Sequence, residues 1–214
     1  MKRAAIAALL LLAGLSACGN DEDAKPAPSA EGVYDGTGRL LFGSRRLTAA
    51  PNVVLIVIDT LRADAIEGRG GAPPPCPNLV KYASESARFS NASSSASWTA
   101  PSISTLVTGL LPSKHGVEGT LSAPPLVSSV ATLAEYLKSA GYATEAMTGG
   151  GWITTDMGHM QGFDRFTENW SFRDGEPALS RWARTRDASK PFFLFLHTYD
   201  AHDPYGVKRP PEGS

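Results

Sequence analysis

The sequence predicts an α/β fold in which helices flank a largely parallel sheet. Residues 52–58 (NVVLIVI) and 191–196 (PFFLFL) are continuous apolar runs of β-branched, aliphatic and aromatic residues. Strands that are apolar on both faces lie in the interior of parallel sheets, where helices cover both sides. Helical patterns separate these runs along the chain, and the order strand, helix, helix, strand, loop, strand favours parallel pairing.

The other elements follow from local signals. Thr132 and Glu135 fit a capping box at the start of the clearest helix, and Gly141 stands just past its end. Gly109 ends an earlier helix that begins after a turn at Pro101. The predicted helices are residues 77–85, 101–108 and 132–140, and the further predicted strands are residues 142–147 and, from a weak signal, 87–91.

Composition and charge are those of an ordinary globular protein. The 214 residues are 42% hydrophobic and 19% charged, with a formal net charge of −1. Near-neutral charge gives no electrostatic reason to expect a nucleic acid partner. Of the two cysteines, Cys76 lies between prolines with no metal-binding spacing, and we interpret it as a bystander thiol.

Residues 1–17 are predicted to be a lipoprotein signal peptide. Two basic residues precede a short apolar run that ends in Leu-Ser-Ala-Cys, which resembles a bacterial lipobox with Cys18 as the lipidated N-terminus. The alternative is an ordinary secretory signal with a chance cysteine. The lipobox predicts a lipid-anchored protein of the bacterial cell envelope, and Gly19 favours the outer membrane. Residues 18–50 are predicted to be a tether, and residues 51–214 the folded domain.

Polar side chains stand where the apolar strands end. Asp59 follows the first strand, His197 and His202 follow the last, and Thr99 precedes a helix. Ligands of open parallel sheets bind outside the carboxyl ends of the strands. We therefore expect these side chains to converge on one edge of the sheet.

Each of these residues also has an alternative, purely structural interpretation. Asp59 needs a partner in a buried position, and this is a metal ion, a set of backbone N–H groups or an arginine, for which Arg62 is nearby. Thr99 is a nucleophile held at a helix N-terminus or only a helix cap. His202 is a general acid or a solvated surface group.

Four blocks of the sequence together carry a family resemblance: residues 51–64, 77–117, 132–166 and 190–205. In these blocks the chain resembles the N-terminal part of the sulfatase family, within the alkaline-phosphatase superfamily. The resemblance implies a divalent metal site, with calcium, magnesium, manganese or zinc as the ion. It implies that Asp59 and Thr99 are metal ligands, that Thr99 is the nucleophile, and that His202 assists the leaving group. Weaker matches place Lys114, His115 and His197 among the substrate-binding residues.

Departures from the family pattern define the expected chemistry. The formylglycine of sulfatases is made from cysteine or serine, so none is expected at Thr99. Ile103 stands where the signature has arginine, and Thr60 where many sulfatases have a second aspartate. Residues 149–152 (GGGW) lack the Lys and His of the corresponding family block. A threonine nucleophile resembles the phosphodiesterases and phosphotransferases of the superfamily, so sulfate and phosphate esters are both expected substrates.

The family completes its metal site with an Asp-His-Gly or Asp-Asn pair on a later strand. The residues after His202 contain no such pair. The sequence is therefore expected to be C-terminally incomplete, with a missing C-terminal half and little turnover by this chain alone. Two interpretations follow: a metal-dependent hydrolase or transferase, or a non-catalytic lipoprotein that retains the fold or anion binding.

Overall fold

One five-stranded sheet organises the computed structural model, which describes residues 7–11 (backbone only), 51–89 and 91–203. The strands are β1 (Ala7–Leu11), β2 (Val53–Ile58), β3 (Ala143–Met147), β4 (Arg165–Thr167) and β5 (Phe192–Thr198). The helices are α1 (Asp64–Glu67), α2 (Pro77–Ser84), α3 (Thr99–Thr108), α4 (Pro112–His115), α5 (Leu133–Ser139) and α6 (Glu176–Thr185).

The strand order is β1-β2-β5-β3-β4, and all pairs except β1 with β2 are parallel. β5, the last strand in the described chain, lies between β2 and β3, with Leu55 opposite Phe195 in the register. This confirms the predicted α/β class and the three predicted strands that correspond to β2, β3 and β5. The parallel pairs require long crossovers. Helices α1 to α5 lie between β2 and β3, and α6 lies between β4 and β5, whereas residues 148–164, between β3 and β4, contain no helix.

β1 pairs antiparallel with β2 at one edge of the sheet. It lies inside the segment predicted to be a signal peptide, whereas Cys18 and residues 12–50 lie outside the described residues. The signal peptide, the lipid anchor and the tether therefore stay predictions. No helix in the described part of the chain is long and apolar enough to cross a membrane.

Side-chain alternation along the central strands builds two hydrophobic layers. Phe193 and Phe195 of β5 pack with residues of α3 and α5 on one face. Leu194 and Leu196 face the other way and pack with Trp182 of α6. Each large apolar side chain buried in this way contributes about 1.5–3 kcal/mol. The fully apolar sequence of β5 is thus explained by helices on both of its faces.

The same alternation sets the direction of the polar residues that follow the strands. Leu55 and Val57 of β2 belong to the layer under α3, and Asp59 continues their spacing of two. His197 likewise continues Phe195 on β5, and Val57 and His197 are opposite one another in the register. Asp59 and His197 therefore lie on the α3 side of the carboxyl edge of the sheet.

The capping box predicted at α5 is confirmed. Thr132 Oγ1 accepts from Glu135 N at 3.2 Å, and Thr132 N donates to Glu135 Oε2 at 2.8 Å. Gly141 follows the helix with a φ of 92°, in the left-handed region that glycine adopts without a steric penalty. This geometry fixes where α5 begins and where the chain turns into β3.

The weak strand predicted over residues 87–91 is wrong. Residues 87–89 form no strand, Phe89 is 81% exposed, and Ser90 lies outside the described residues. A strand needs a neighbour for its backbone hydrogen bonds, and β-forming composition does not supply one. β4 and α6 lie in a segment that the sequence predicted to be a loop. Their sequence signals are weak, because β4 is three residues long and α6 buries a single side chain, Trp182.

Candidate active site

Thr99 is the first residue of α3, and its side chain binds Asp59. The N-cap of α3 is Trp98, which makes no side-chain capping hydrogen bond. Thr99 Oγ1 instead donates to Asp59 Oδ2 at 3.0 Å, across 40 positions of sequence. The helix-cap interpretation of Thr99 is therefore wrong, and the hydroxyl is held against a carboxylate at the sheet edge.

Asp59 is 5% exposed and is fixed by its backbone as well as its side chain. Its N–H donates to Thr198 O at 3.0 Å, which continues the pairing of β2 with β5. His197 Nε2 lies 3.4 Å from the same Oδ2 that accepts from Thr99. Arg62, the alternative partner predicted for Asp59, forms its ion pair with Asp64, with 2.8 Å between Nε and Oδ1.

The loop that carries His202 is tied to the end of β2. Thr60 adopts a φ of 57°, unusual for a β-branched residue, and its Oγ1 donates to Ala201 O at 3.0 Å. His202 is exposed, and its Nδ1 lies 2.6 Å from Asp203 O. A carbonyl only accepts, so Nδ1 carries a hydrogen and Nε2 is the nitrogen left to face a substrate.

Tyr199 is a site residue that the sequence analysis missed. Its ring stands edge-on to His197, with 4.7 Å between centroids, and 5.5 Å from the ring of His202. Its hydroxyl accepts from Trp152 N at 3.3 Å. Burial, with a smaller contribution from Asp59, raises the pKa of Tyr199 to about 12. The only sequence signal was its place between His197 and His202.

The glycine-rich segment 149–151 packs directly on Tyr199. A Cβ on Gly149 would lie 2.6 Å from Tyr199 Cδ2, and one on Gly151 would lie 3.1 Å from its hydroxyl oxygen. Gly151 also has a φ of 63°. This segment has glycines and not the Lys and His of the corresponding family block. Because glycine has no side chain, the tyrosine ring can pack directly against the backbone.

Ile103, at the position of the signature arginine, is fully buried in the layer between α3 and the sheet. A guanidinium there would lose its hydration without a place for a counter-charge. α3 therefore contributes no positively charged side chain to the site around Thr99.

His115 and Lys114, predicted substrate-binding residues, lie in α4. His115 is buried, and its Nδ1 accepts from Val117 N at 3.1 Å. Its Nε2 consequently carries the hydrogen and donates to Thr105 Oγ1 at 3.1 Å. Burial lowers the pKa of His115. Lys114 is exposed. Substrate binding by these two residues and by His197 stays a prediction, and the contacts of both histidines are with the protein itself.

His159 is a third buried histidine, below α3. Its Nε2 lies 3.0 Å from Ser104 Oγ, and its Nδ1 has no hydrogen-bond partner in the described part of the chain. Burial, followed by the proximity of His197 and His115, lowers the pKa of His159 to about 4. The imidazole is therefore neutral at physiological pH, and protonation would place an uncompensated charge in the core.

Because His159 is buried in its neutral form, we expect the protein to become less stable toward unfolding as the pH falls. The unfolded chain binds a proton at His159 near pH 6.5, and the folded chain near pH 4. Unfolding therefore takes up a proton between these values, and the free energy of unfolding should fall by about 3 kcal/mol from pH 7 to below pH 4 on account of this residue. Denaturant unfolding at several pH values measures it. His159→Gln, which keeps a polar group near Ser104, should reduce the fall in the free energy of unfolding over this pH range. If the variant shows the same fall as the parent protein, the fall does not come from His159.

The donor set at the sheet edge fits part of a divalent metal site. A buried carboxylate and an adjacent hydroxyl are hard oxygen ligands, which magnesium and calcium prefer. Asp59 and Thr99 would supply two ligands. No group of three or more His, Cys, Asp or Glu side chains that could hold a metal occurs among residues 51–89 and 91–203. The arrangement holds the Thr99 hydroxyl against the Asp59 carboxylate, and the His202 ring lies 5.5 Å from the ring of Tyr199.

Comparisons with known proteins point to one family. The family model described as Sulfatase matches residues 51–214. An arylsulfatase from Hemicentrotus pulcherrimus is 32% identical over 146 residues, which are 58% of this chain and 26% of that protein. A choline-sulfatase from Rhizobium meliloti is 34% identical over 97 residues, 45% of this chain and 19% of that protein.

Two further similarities extend the comparison. An ulvan-active sulfatase from Formosa agariphila is 26% identical over 182 residues, 76% of this chain and 28% of that protein. A crystal structure of a protein in the alkaline phosphatase superfamily from Vibrio parahaemolyticus matches with a TM-score of 0.33 and 24% identity, covering 50% of this chain and 30% of that one. The chain spans about a quarter of the length of the curated relatives that it matches.

Proposed function

Because this chain belongs to the sulfatase family, we propose that it carries the nucleophile and part of the metal site of a hydrolase or transferase that acts on sulfate or phosphate esters. The observation that supports this best is the 3.0 Å hydrogen bond from Thr99 Oγ1 to Asp59 Oδ2. It joins two residues 40 positions apart at the edge where parallel sheets bind ligands. A non-catalytic lipoprotein would have no need to keep a buried carboxylate against a hydroxyl.

The chemistry follows from the groups at the site. Thr99 Oγ1 attacks the sulfur or phosphorus atom with an electron pair, while its hydrogen moves toward Asp59. The bond between that atom and the alcohol oxygen breaks, and His202, in the form that carries a hydrogen on Nε2 as well as on Nδ1, donates the Nε2 hydrogen to the departing oxygen. Water then attacks the sulfur or phosphorus atom and gives one hydrogen to His202. The bond to Thr99 Oγ1 breaks, and this oxygen takes its hydrogen back from Asp59, which regenerates the hydroxyl. A divalent ion bound at Asp59 and Thr99 would supply Lewis-acid stabilisation of the negative charge.

The choice between sulfate and phosphate depends on Thr99. The relatives are named for sulfate ester hydrolysis, which supports sulfate esters as substrates of this chain. A threonine side chain, however, forms no formylglycine hydrate, and a direct hydroxyl nucleophile is suited to phosphodiesters. We therefore propose that phosphodiesters are cleaved faster than sulfate monoesters.

Paired chromogenic substrates test this proposal. We expect the purified intact protein to release nitrophenol from bis(nitrophenyl) phosphate faster than from nitrophenyl sulfate. Chelation with EDTA should abolish release, and one of the four candidate metal ions should restore it. Absence of turnover on both substrates with every ion would instead favour the non-catalytic lipoprotein.

A lipid anchor at Cys18 is the proposed basis of localisation in the cell envelope. Cys18→Ser removes the acceptor of the lipid, so the protein should move from the membrane fraction to the soluble periplasmic fraction of bacterial cells. Cell fractionation with mass spectrometry of the N-terminus measures this. Cys76→Ser is the matched control, since Cys76 is a free thiol of the described chain and should leave fractionation unchanged. Identical fractionation of Cys18→Ser and the parent protein would contradict the lipobox.

A further inference from the structure

The peptide unit between Ala201 and His202 is held at both of its polar groups. Thr60 Oγ1 donates to Ala201 O at 3.0 Å, across 141 positions of sequence. His202 N donates to Tyr199 O at 2.8 Å, which closes a turn. Because a peptide unit is planar, these two contacts fix the backbone direction from which the His202 side chain leaves.

Thr60 is the direct neighbour of Asp59 in the turn over residues 58–61. The backbone N–H of the last residue of this turn donates to the carbonyl of the first at 3.4 Å. Asp59 Oδ2 accepts from Thr99 Oγ1, and Thr60 Oγ1 donates to the carbonyl that precedes His202. One turn therefore contacts both the nucleophile and the loop that carries the general acid of the proposed function.

We propose that Thr60 is a positioning residue, whose hydroxyl holds the backbone of His202 at a fixed distance from Asp59. This inference rests on the proposed function, because it requires His202 to protonate the departing oxygen. No bond to Thr60 forms or breaks during the reaction. Since His202 Nδ1 contacts Asp203 O at 2.6 Å, a fixed backbone at His202 also sets the place of Nε2, which carries the transferred hydrogen.

The backbone conformation of Thr60 supports this role. Its φ of 57° lies in the left-handed region, where a β-branched residue is strained and glycine is not. The local conformation alone therefore does not favour threonine. What threonine supplies here is a hydroxyl that donates to a carbonyl. An aspartate, the residue of the family pattern at this position, could not make the contact, because a carboxylate only accepts.

Thr60→Val in the intact protein tests the proposal, because it removes the hydroxyl and keeps the β-branched shape. The two substrates are bis(nitrophenyl) phosphate and diphenyl phosphate. Nitrophenolate departs readily without a proton, whereas phenolate is the stronger base and depends on the general acid. We expect kcat/KM to fall on the order of 10-fold or more on the phenyl ester and by less than about threefold on the nitrophenyl ester.

Two controls separate the hydrogen bond from a general loss of structure. Thr60→Ser restores a hydroxyl and should return kcat/KM on the phenyl ester to within about threefold of the parent value. Thr185→Val removes a hydroxyl that also donates to a backbone carbonyl, that of Arg181 at 2.9 Å in α6, and should leave both rates unchanged. An equal loss on the two esters in Thr60→Val would overturn the proposal.

Amide hydrogen exchange provides a measurement that needs no turnover. Thr60→Val releases the Ala201 carbonyl, so the His202 amide should exchange on the order of 10-fold faster than in the parent protein. The Asp59 amide, which donates to Thr198 O at 3.0 Å, should exchange at the parental rate. Unchanged exchange at His202, measured by NMR on isotope-labelled protein, would overturn the proposal.

The outcomes separate this proposal from the proposed function. His202→Gln should show the same selective loss on the phenyl ester, and Thr60→Val should add little to that loss in the double variant. If His202→Gln shows the loss and Thr60→Val does not, the role of Thr60 is overturned and the general acid stands. If His202→Gln keeps the parental rates, or the parent protein turns over neither ester, the proposed function fails first and the role of Thr60 fails with it.

Discussion

Thr99→Ala should lower the rate of ester hydrolysis by a factor on the order of 10³ or more, because the oxygen that forms the covalent intermediate is removed. The loss should not come from unfolding. Thr99 is the first residue of α3 and does not cap it, so the variant loses one side-chain hydrogen bond, worth about 1 kcal/mol. Initial rates and thermal unfolding of the same preparation measure both effects.

Thr99→Ser is the matched control, since it keeps a hydroxyl at the same position. It should retain most of the activity, and a covalent adduct on this serine should be detectable by mass spectrometry after rapid acid quenching. The mass of the unreacted protein will show whether the serine has stayed unmodified. Parental activity in Thr99→Ala would remove Thr99 from the mechanism.

Asp59→Asn should weaken divalent metal binding by more than about 100-fold, because replacing a ligand should cost at least as much as the 10–100-fold typical of residues that only support ligands. The amide keeps the shape of the side chain and can still accept from Thr99. Titration calorimetry with calcium, magnesium, manganese and zinc measures the affinity. Activity should fall in parallel with metal affinity at a fixed ion concentration.

The same substitution should have a different effect on the metal-free protein. A carboxylate that is 5% exposed loses most of its hydration, so Asp59→Asn should unfold at the same or a higher temperature than the parent without metal. Asp64→Asn is the control, since Asp64 pairs with Arg62 at the surface and should not change metal affinity. Unaltered metal affinity in Asp59→Asn would contradict its assignment as a ligand.

Long apolar patterns were the most predictable part of this fold. β2 and β5 were predicted as buried parallel strands because their residues are apolar on both faces, and α5 because its capping box is local in sequence. α6 and β4 were not predicted, because α6 buries only Trp182 and β4 is three residues long. The strand predicted near residue 87 had the right composition and no neighbour to pair with.

The candidate site likewise contains residues that the sequence predicted and one that it did not. Asp59, Thr99 and His202 were identified from their positions after strands and before a helix, together with the family resemblance. Tyr199 was missed because a tyrosine between two histidines carries no signal of its own. Its position depends on contacts with Trp152 and Gly149, which are about 50 positions away in the sequence.

By itself, the sequence determined the α/β class, the sulfatase family resemblance and the edge of the sheet at which the polar residues meet. The class and the edge follow from periodicity and strand ends, which are local properties of the chain, and the resemblance follows from motif residues. Only the tertiary structure decided the partner of the Thr99 hydroxyl, which donates to Asp59 and does not cap α3. The pairing of β2 with β5 and the packing of α3 on them place Asp59 within 3.0 Å of that hydroxyl. Such a contact between distant segments depends on how helices and strands pack, which no local pattern encodes.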